Sequence, residues 1–150
     1  MKKLYHILDY FETILNKTDV VNKDISSSSV GWHIEHTLVS IDLIIKAIEK
    51  TPDVPYKPIH SFSKYFILIT GKIPRGRAKA PNFTLPKPFD KIELEIHIKE
   101  TRERIQSLKN IPSHHYFMHP YFGPMNVFET KRMLYIHSWH HVKIIKDIIG

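Results

Sequence analysis

Two histidines four residues apart, His137 and His141, interrupt the apolar segment LYIHSWHHVKII, residues 134–145. On a helix that spacing sets both imidazoles on one face, one turn apart, where two ring nitrogens can share one metal ion. The neighbours define the face. Val127, Thr130, Leu134, His137, His141, Ile144 and Ile148 follow a 3-4-3-4 rhythm, the seam of a helix packed against others. An imidazole on such a seam needs a partner, because burying a polar group without one is costly. His140 falls off the seam, towards Lys143 and Asp147, and reads as a surface residue, with support of the pair as the other reading. Spacing alone is a weak signal: the chain has 11 histidines, and His115 and His119 form a second such pair in what reads as a loop. Two core histidines satisfied by hydrogen bonds are the competing account.

A facing helix supplies the third nitrogen. The segment from Val30 to Lys50 carries Ile34, Leu38, Ile41, Leu43, Ile44, Ile45, Ala47 and Ile48 over a broad arc, so it is expected to be buried against several neighbours. His33 lies near the middle of that arc and His36 near its edge. Periodicity does not choose between them and slightly favours His33. Three imidazoles with one open position are the usual layout of a catalytic zinc site, and imidazole also suits nickel and iron. With no cysteine in the chain, thiolate ligands and disulfides are excluded. No carboxylate stands out as a general base, because Glu35 falls with Asp42, Lys46 and Glu49 on a charged arc read as facing solvent.

The elements that must position these residues follow from the same periodicities. Leu4, Ile7, Leu8, Phe11, Ile14 and Leu15 mark an amphipathic helix over residues 2–16. Ser26 to Ser29 offer N-caps for the second helix, which stops before Thr51-Pro52. FSKYFILI, residues 62–69, is a short apolar segment, helix or strand. Residues 71–88, GKIPRGRAKAPNFTLPKP, form a long loop punctuated by four prolines, of a kind more often functional or packed over the body than idle. Residues 89–110 carry two signals. Ile92, Leu94, Ile96 and Ile98 alternate as in a strand, yet the length and the Glu, Lys and Arg content favour a helix. SHHYFMHPYFGP, residues 113–124, reads as a loop, and the last helix begins near Met125 or Asn126. Four long helices, a short one and a long crossover between the second and third give an all-α chain, a four-helix bundle in one domain over residues 1–150.

Composition limits the partners. A length of 150 residues suits one domain. MKKLYHILDYFETIL opens with lysines as a signal peptide does, but Asp9 and Glu12 break its apolar run. No apolar stretch approaches the roughly 18 residues of a membrane span. The expected location is the cytoplasm, with no membrane partner. A net charge of +7 invites a nucleic-acid reading. However, the lysines are spread along every segment as on a solvated surface, and GKIPRGRAK lacks interleaved stacking aromatics. Nucleic acid is therefore not the expected partner.

GWHIEHTL in the second helix, HPYFG before the last, YIHSWHHVKII within it and the loop GKIPRGRAKAP together resemble the DinB-like (DinB/YfiT) metalloprotein superfamily, most closely its DUF1569 branch. The resemblance covers nearly the whole chain. It implies a four-helix bundle holding one divalent metal with three histidines: the last histidine of WHIEH, His36, together with His137 and His141. Here the resemblance overrides the slight preference for His33. Better-known members place an Arg-Gly-Gln run after the last ligand; this chain has Val142-Lys143-Ile144, which weakens the similarity to the transferase members. His33 is left to line the pocket or pack in the core, and His119 to cover the site or form a turn. His6, His60 and His97 are assigned to surface or packing, and Trp32 and Trp139 to the core.

Two functions follow as expectations. One is a metal-dependent transferase or hydrolase acting on a small molecule, with a thiol cofactor as one co-substrate. Zinc or nickel would be the metal, or iron, and Lys72, Arg75, Arg77 and Lys79 would steer an anionic substrate. The other is a non-catalytic metal-containing module whose basic loop binds an anionic partner. Related bundles often pair through helix faces, so the resemblance also allows a homodimer.

Overall fold

The computed structural model describes residues 1–51, 54–76 and 80–150. These form α1 (Lys2–Thr13), α2 (Val30–Glu49), α3 (Phe62–Thr70), α4 (Lys91–Ser107), β1 (Tyr116–His119), β2 (Gly123–Asn126) and α5 (Val127–Ile149). The described residues are mostly helical, with one small antiparallel sheet. The segment 113–124 is thus not wholly a loop: Tyr116 pairs with Asn126 and His119 with Gly123. Tyr116 and Phe117 are buried while Met118 and Tyr121 are exposed, so the short hairpin buries the two aromatics of its first strand and satisfies the backbone around them. Gly123 takes a left-handed φ of 68° at its turn, a conformation that costs glycine little.

Helices α2, α4 and α5 open on side-chain caps. Ser29 accepts the N–H of Trp32 at the start of α2. Asp90 with Glu93, and Asn126 with Glu129, form reciprocal capping boxes at α4 and α5. These caps settle the ambiguous segment 89–110 as a helix. Its buried residues are Leu94, Ile98, Thr101 and Ile105 at helical spacing, whereas Ile92 and Ile96 of the strand-like alternation are exposed. Residues 62–69 likewise settle as the helix α3.

The core runs through all the long helices: Phe11, Ile34, Leu38, Ile45, Leu94, Ile105, Leu134 and Ile145 are among its buried members. Helix α2 packs on both α4 and α5, and α1 packs on the same two. The start of α2 is pinned by the Val30 N–H on Val20 O at 3.0 Å and the Gly31 N–H on Thr18 O at 2.8 Å. A Cβ at Gly31 would stand 3.0 Å from both the Phe89 ring and Thr18 Cβ. This glycine therefore lets Thr18 and Phe89 approach the first turn of α2 closely. Among the described residues no helix is long and apolar enough to cross a membrane.

One buried charge ties α3 to α5. Lys64, fully buried, lies 3.1 Å from Glu129 Oε1, in ion-pair contact without an aligned hydrogen bond. Arg132 Nε donates to the carbonyl of Leu68 at the end of α3.

Candidate metal centre

Helix α5 places His137 and His141 one turn apart, and α2 delivers His36 opposite them. One ring nitrogen of each lies within 4.8 Å of the other two. His36 and His141 are buried and His137 is half-buried. The Nε2 atoms of His137 and His141 are 3.3 Å apart. Two nitrogens on one tetrahedral zinc, each bonded at about 2.05 Å, are separated by about 3.3 Å. That edge of the site is already set. The remaining separations lie within 4.8 Å.

The remaining ring nitrogen of His36 is also fixed. Its Nδ1–H donates to the Thr84 carbonyl at 2.8 Å, so the lone pair is on Nε2, the nitrogen left for an ion. Thr84 belongs to a short 3-10 turn, Asn82–Thr84, within the crossover between α3 and α4. The indole of Trp32 stacks on the His36 ring, centroids 5.0 Å apart and planes 12° from parallel. One ligand is thus held by a main-chain carbonyl on one edge and an aromatic face on one side.

The electrostatics keep these imidazoles neutral. Burial pushes His137 down to about 3, with smaller contributions from His36, His140 and His119. Burial, then His137 and His36, holds His141 well below the ordinary value. Burial also lowers His36, against an opposing contribution from its bond to Thr84. Neutral imidazole is the ligating form, so metal binding needs no proton to be expelled at neutral pH. Burial likewise lowers the neighbouring His33 and His140 to about 4, with smaller contributions from His36, His140 and Arg75 on His33, and from Arg75, Lys143 and His36 on His140.

The other sequence candidates divide. His33 is buried, and its Nδ1 lies 3.0 Å from His141 Nδ1, on the side of that ring away from His137. His140 is half-buried rather than on the surface, with its ring 5.3 Å from that of His141; the helix flank it occupies is covered on the side of the triad. His119 sits at the end of β1, where Nδ1 accepts the N–H groups of Tyr121 at 3.1 Å and Phe122 at 3.3 Å. Its proton is therefore on Nε2, and its ring stacks on Phe122 at 4.4 Å. Arg75 is exposed and bound to Asp147 of α5 at 2.7 Å, and Lys72 is exposed. Arg77 and Lys79 lie outside the described residues.

Glu35 and Asp42 do not face solvent, contrary to the wheel. Both are largely covered and engage His97 of α4, at 2.8 Å and 3.5 Å. Asp42 also meets Arg104 at 3.2 Å and accepts from Thr101. A charge partner on another helix turns a charged arc inward, and a single-helix projection does not contain that partner. Burial would lower His97, but the hydrogen bonds to Asp42 and Glu35 and their charges outweigh it and raise it to about 9. No family model, curated protein or solved structure matches the chain.

Proposed function

We propose that this chain is a metal-dependent enzyme of the DinB-like superfamily, in its DUF1569 branch, with the four-helix bundle and crossover of that fold. His36, His137 and His141 hold one divalent ion, zinc or nickel before iron, and the reaction is thiol transfer or hydrolysis on a small molecule. The observation that carries the reading is the triad itself: three neutral imidazoles from two facing helices, two of them already at a tetrahedral edge. The packing of α1, α2, α4 and α5 on one another supports the bundle.

A divalent ion with three nitrogen ligands and an open position acidifies a water or thiol that binds there. The chain's own residues favour an anion at that position. Arg75, although paired with Asp147, acts on both His33 and His140, and Lys143 acts on His140. His119 offers a neutral Nε2–H donor from the hairpin. Thr84 and Trp32 hold His36 in place while a substrate exchanges.

Elemental analysis of protein purified without a metal-affinity tag tests the proposal. The expected result is one equivalent of metal, lost in His36→Ala and in His141→Ala. Stoichiometric metal in the triple His36→Ala/His137→Ala/His141→Ala variant would sink it. A screen of thiol cofactors and electrophiles with metal-loaded protein then tests turnover. Salt-sensitive binding to DNA or RNA with no turnover would overturn the enzyme reading.

A further inference from the structure

We infer that His33 and Ser26 are positioning residues of the metal centre, holding His141 in the one tautomer that leaves Nε2 bare. This rests on the triad reading for its purpose but not for its geometry. His33 Nδ1 and His141 Nδ1 are 3.0 Å apart and both rings are buried. Two such nitrogens cannot both present lone pairs, or both present protons, at that distance. One proton lies between them, and its owner decides the state of the centre.

If His33 owned it, His141 would accept at Nδ1 and carry its own proton on Nε2. That proton would point at His137 Nε2, 3.3 Å away, and occupy the place of a ligand bond. If His141 owns it, Nε2 is a lone pair, which accepts from His137 Nε2–H in the metal-free protein and is free for an ion. His33 then accepts at Nδ1 and carries its proton on Nε2, 3.0 Å from Ser26 Oγ. Ser26 Oγ also accepts the Ser28 N–H at 3.1 Å, so the turn before α2 holds it in place with a second lone pair left for His33. A hydroxyl with two acceptor lone pairs accommodates both donors. The chain Ser26–His33–His141 thus runs as a directed series of hydrogen bonds ending at the ligand nitrogen. Both nitrogens of His33 are engaged in it, so His33 is not a fourth ligand. Its place three residues before His36 on α2 lets one helix supply a ligand to the ion and the support for a ligand from α5.

Histidine ring 15N spectra of the metal-free protein read the tautomers directly. The expected pattern is a protonated Nδ1 on His141 and a protonated Nε2 on His33; a bare Nδ1 on His141 overturns the inference. Zinc affinity by chelator competition gives a second readout. His33→Leu should weaken zinc binding roughly 10- to 100-fold, the usual loss when such support is removed. His33→Asn, whose Oδ1 takes the place of Nδ1 as acceptor, should restore most of it. Equal affinity in wild type and His33→Leu, or equal loss in both variants, overturns the inference. Wild-type protein that takes up no zinc instead refutes the triad reading, and the spectra of that same protein still decide the tautomers.

Discussion

Raising the pH from about 6 to about 10 should strip the proton that His97 holds between Glu35 and Asp42, and with it part of the fold's stability. The folded-state value is about 9, against about 6.5 for an unfolded histidine. A raised value means that the folded state binds the proton more tightly. The stabilisation is fully present below about 6.5, declines as pH rises through the interval, and is gone above about 9. The difference of about 2.5 units corresponds to about 3 kcal/mol at 1.36 kcal/mol per unit. For a chain of this length that is about 6–12 °C in Tm. Tyrosines and lysines also titrate in alkali, so the comparison is between wild type and His97→Gln, each unfolded in urea across the pH range. The stability gap between the two should be widest near pH 6 and close towards pH 10. Parallel pH curves would refute the reasoning, because they would mean that the histidine gains nothing from the two carboxylates.

Other perturbations separate packing from site. Adding zinc at about 100 times its Kd should stabilise the wild-type protein by about 2.7 kcal/mol and leave the triple triad variant unmoved in calorimetry. In Trp139→Phe, where Trp32 is the remaining tryptophan, nickel or copper should quench the fluorescence, because Trp32 lies on the His36 ring; undiminished emission at full metal loading would count against that placement. Gly31→Ala drives a methyl to 3.0 Å from Phe89 and Thr18 and should cost about 1–3 kcal/mol in thermal unfolding. Glu129→Gln should cost about 3–5 kcal/mol by stranding the buried Lys64, and Lys64→Met in the same chain should recover most of that loss.

How far the sequence reached depended on whether a signal was local. The seam Leu134–His137–His141–Ile144 lies on one helix, and its rhythm is complete in the sequence. The same holds for the N-cap expected among Ser26 to Ser29, which Ser29 provides. The choice between His33 and His36 was different. Both are buried with about 4% exposure, so no hydrophobic wheel can rank them; what separates their roles is the Thr84 carbonyl, 48 positions beyond His36. Glu35 and Asp42 misled for a related reason, since His97 and Arg104 reach them from α4. The hairpin escaped because two strands of four residues are too short for a period of two to stand out beside aromatics and proline. His140, expected on the surface, is half-buried, and Arg75, distant in the chain, is among the charges that act on it.

The bond from His36 to Thr84 has a consequence for how this chain can vary. The acceptor is a main-chain carbonyl, which every residue type provides. Substitutions along the crossover can therefore accumulate without removing the restraint on the ligand. Insertions or deletions between α3 and Thr84 are another matter, because they move the carbonyl itself. The variable that governs this part of the site is the contour of the polypeptide rather than its side chains. A comparison across related chains would read it as a conserved length over a drifting sequence.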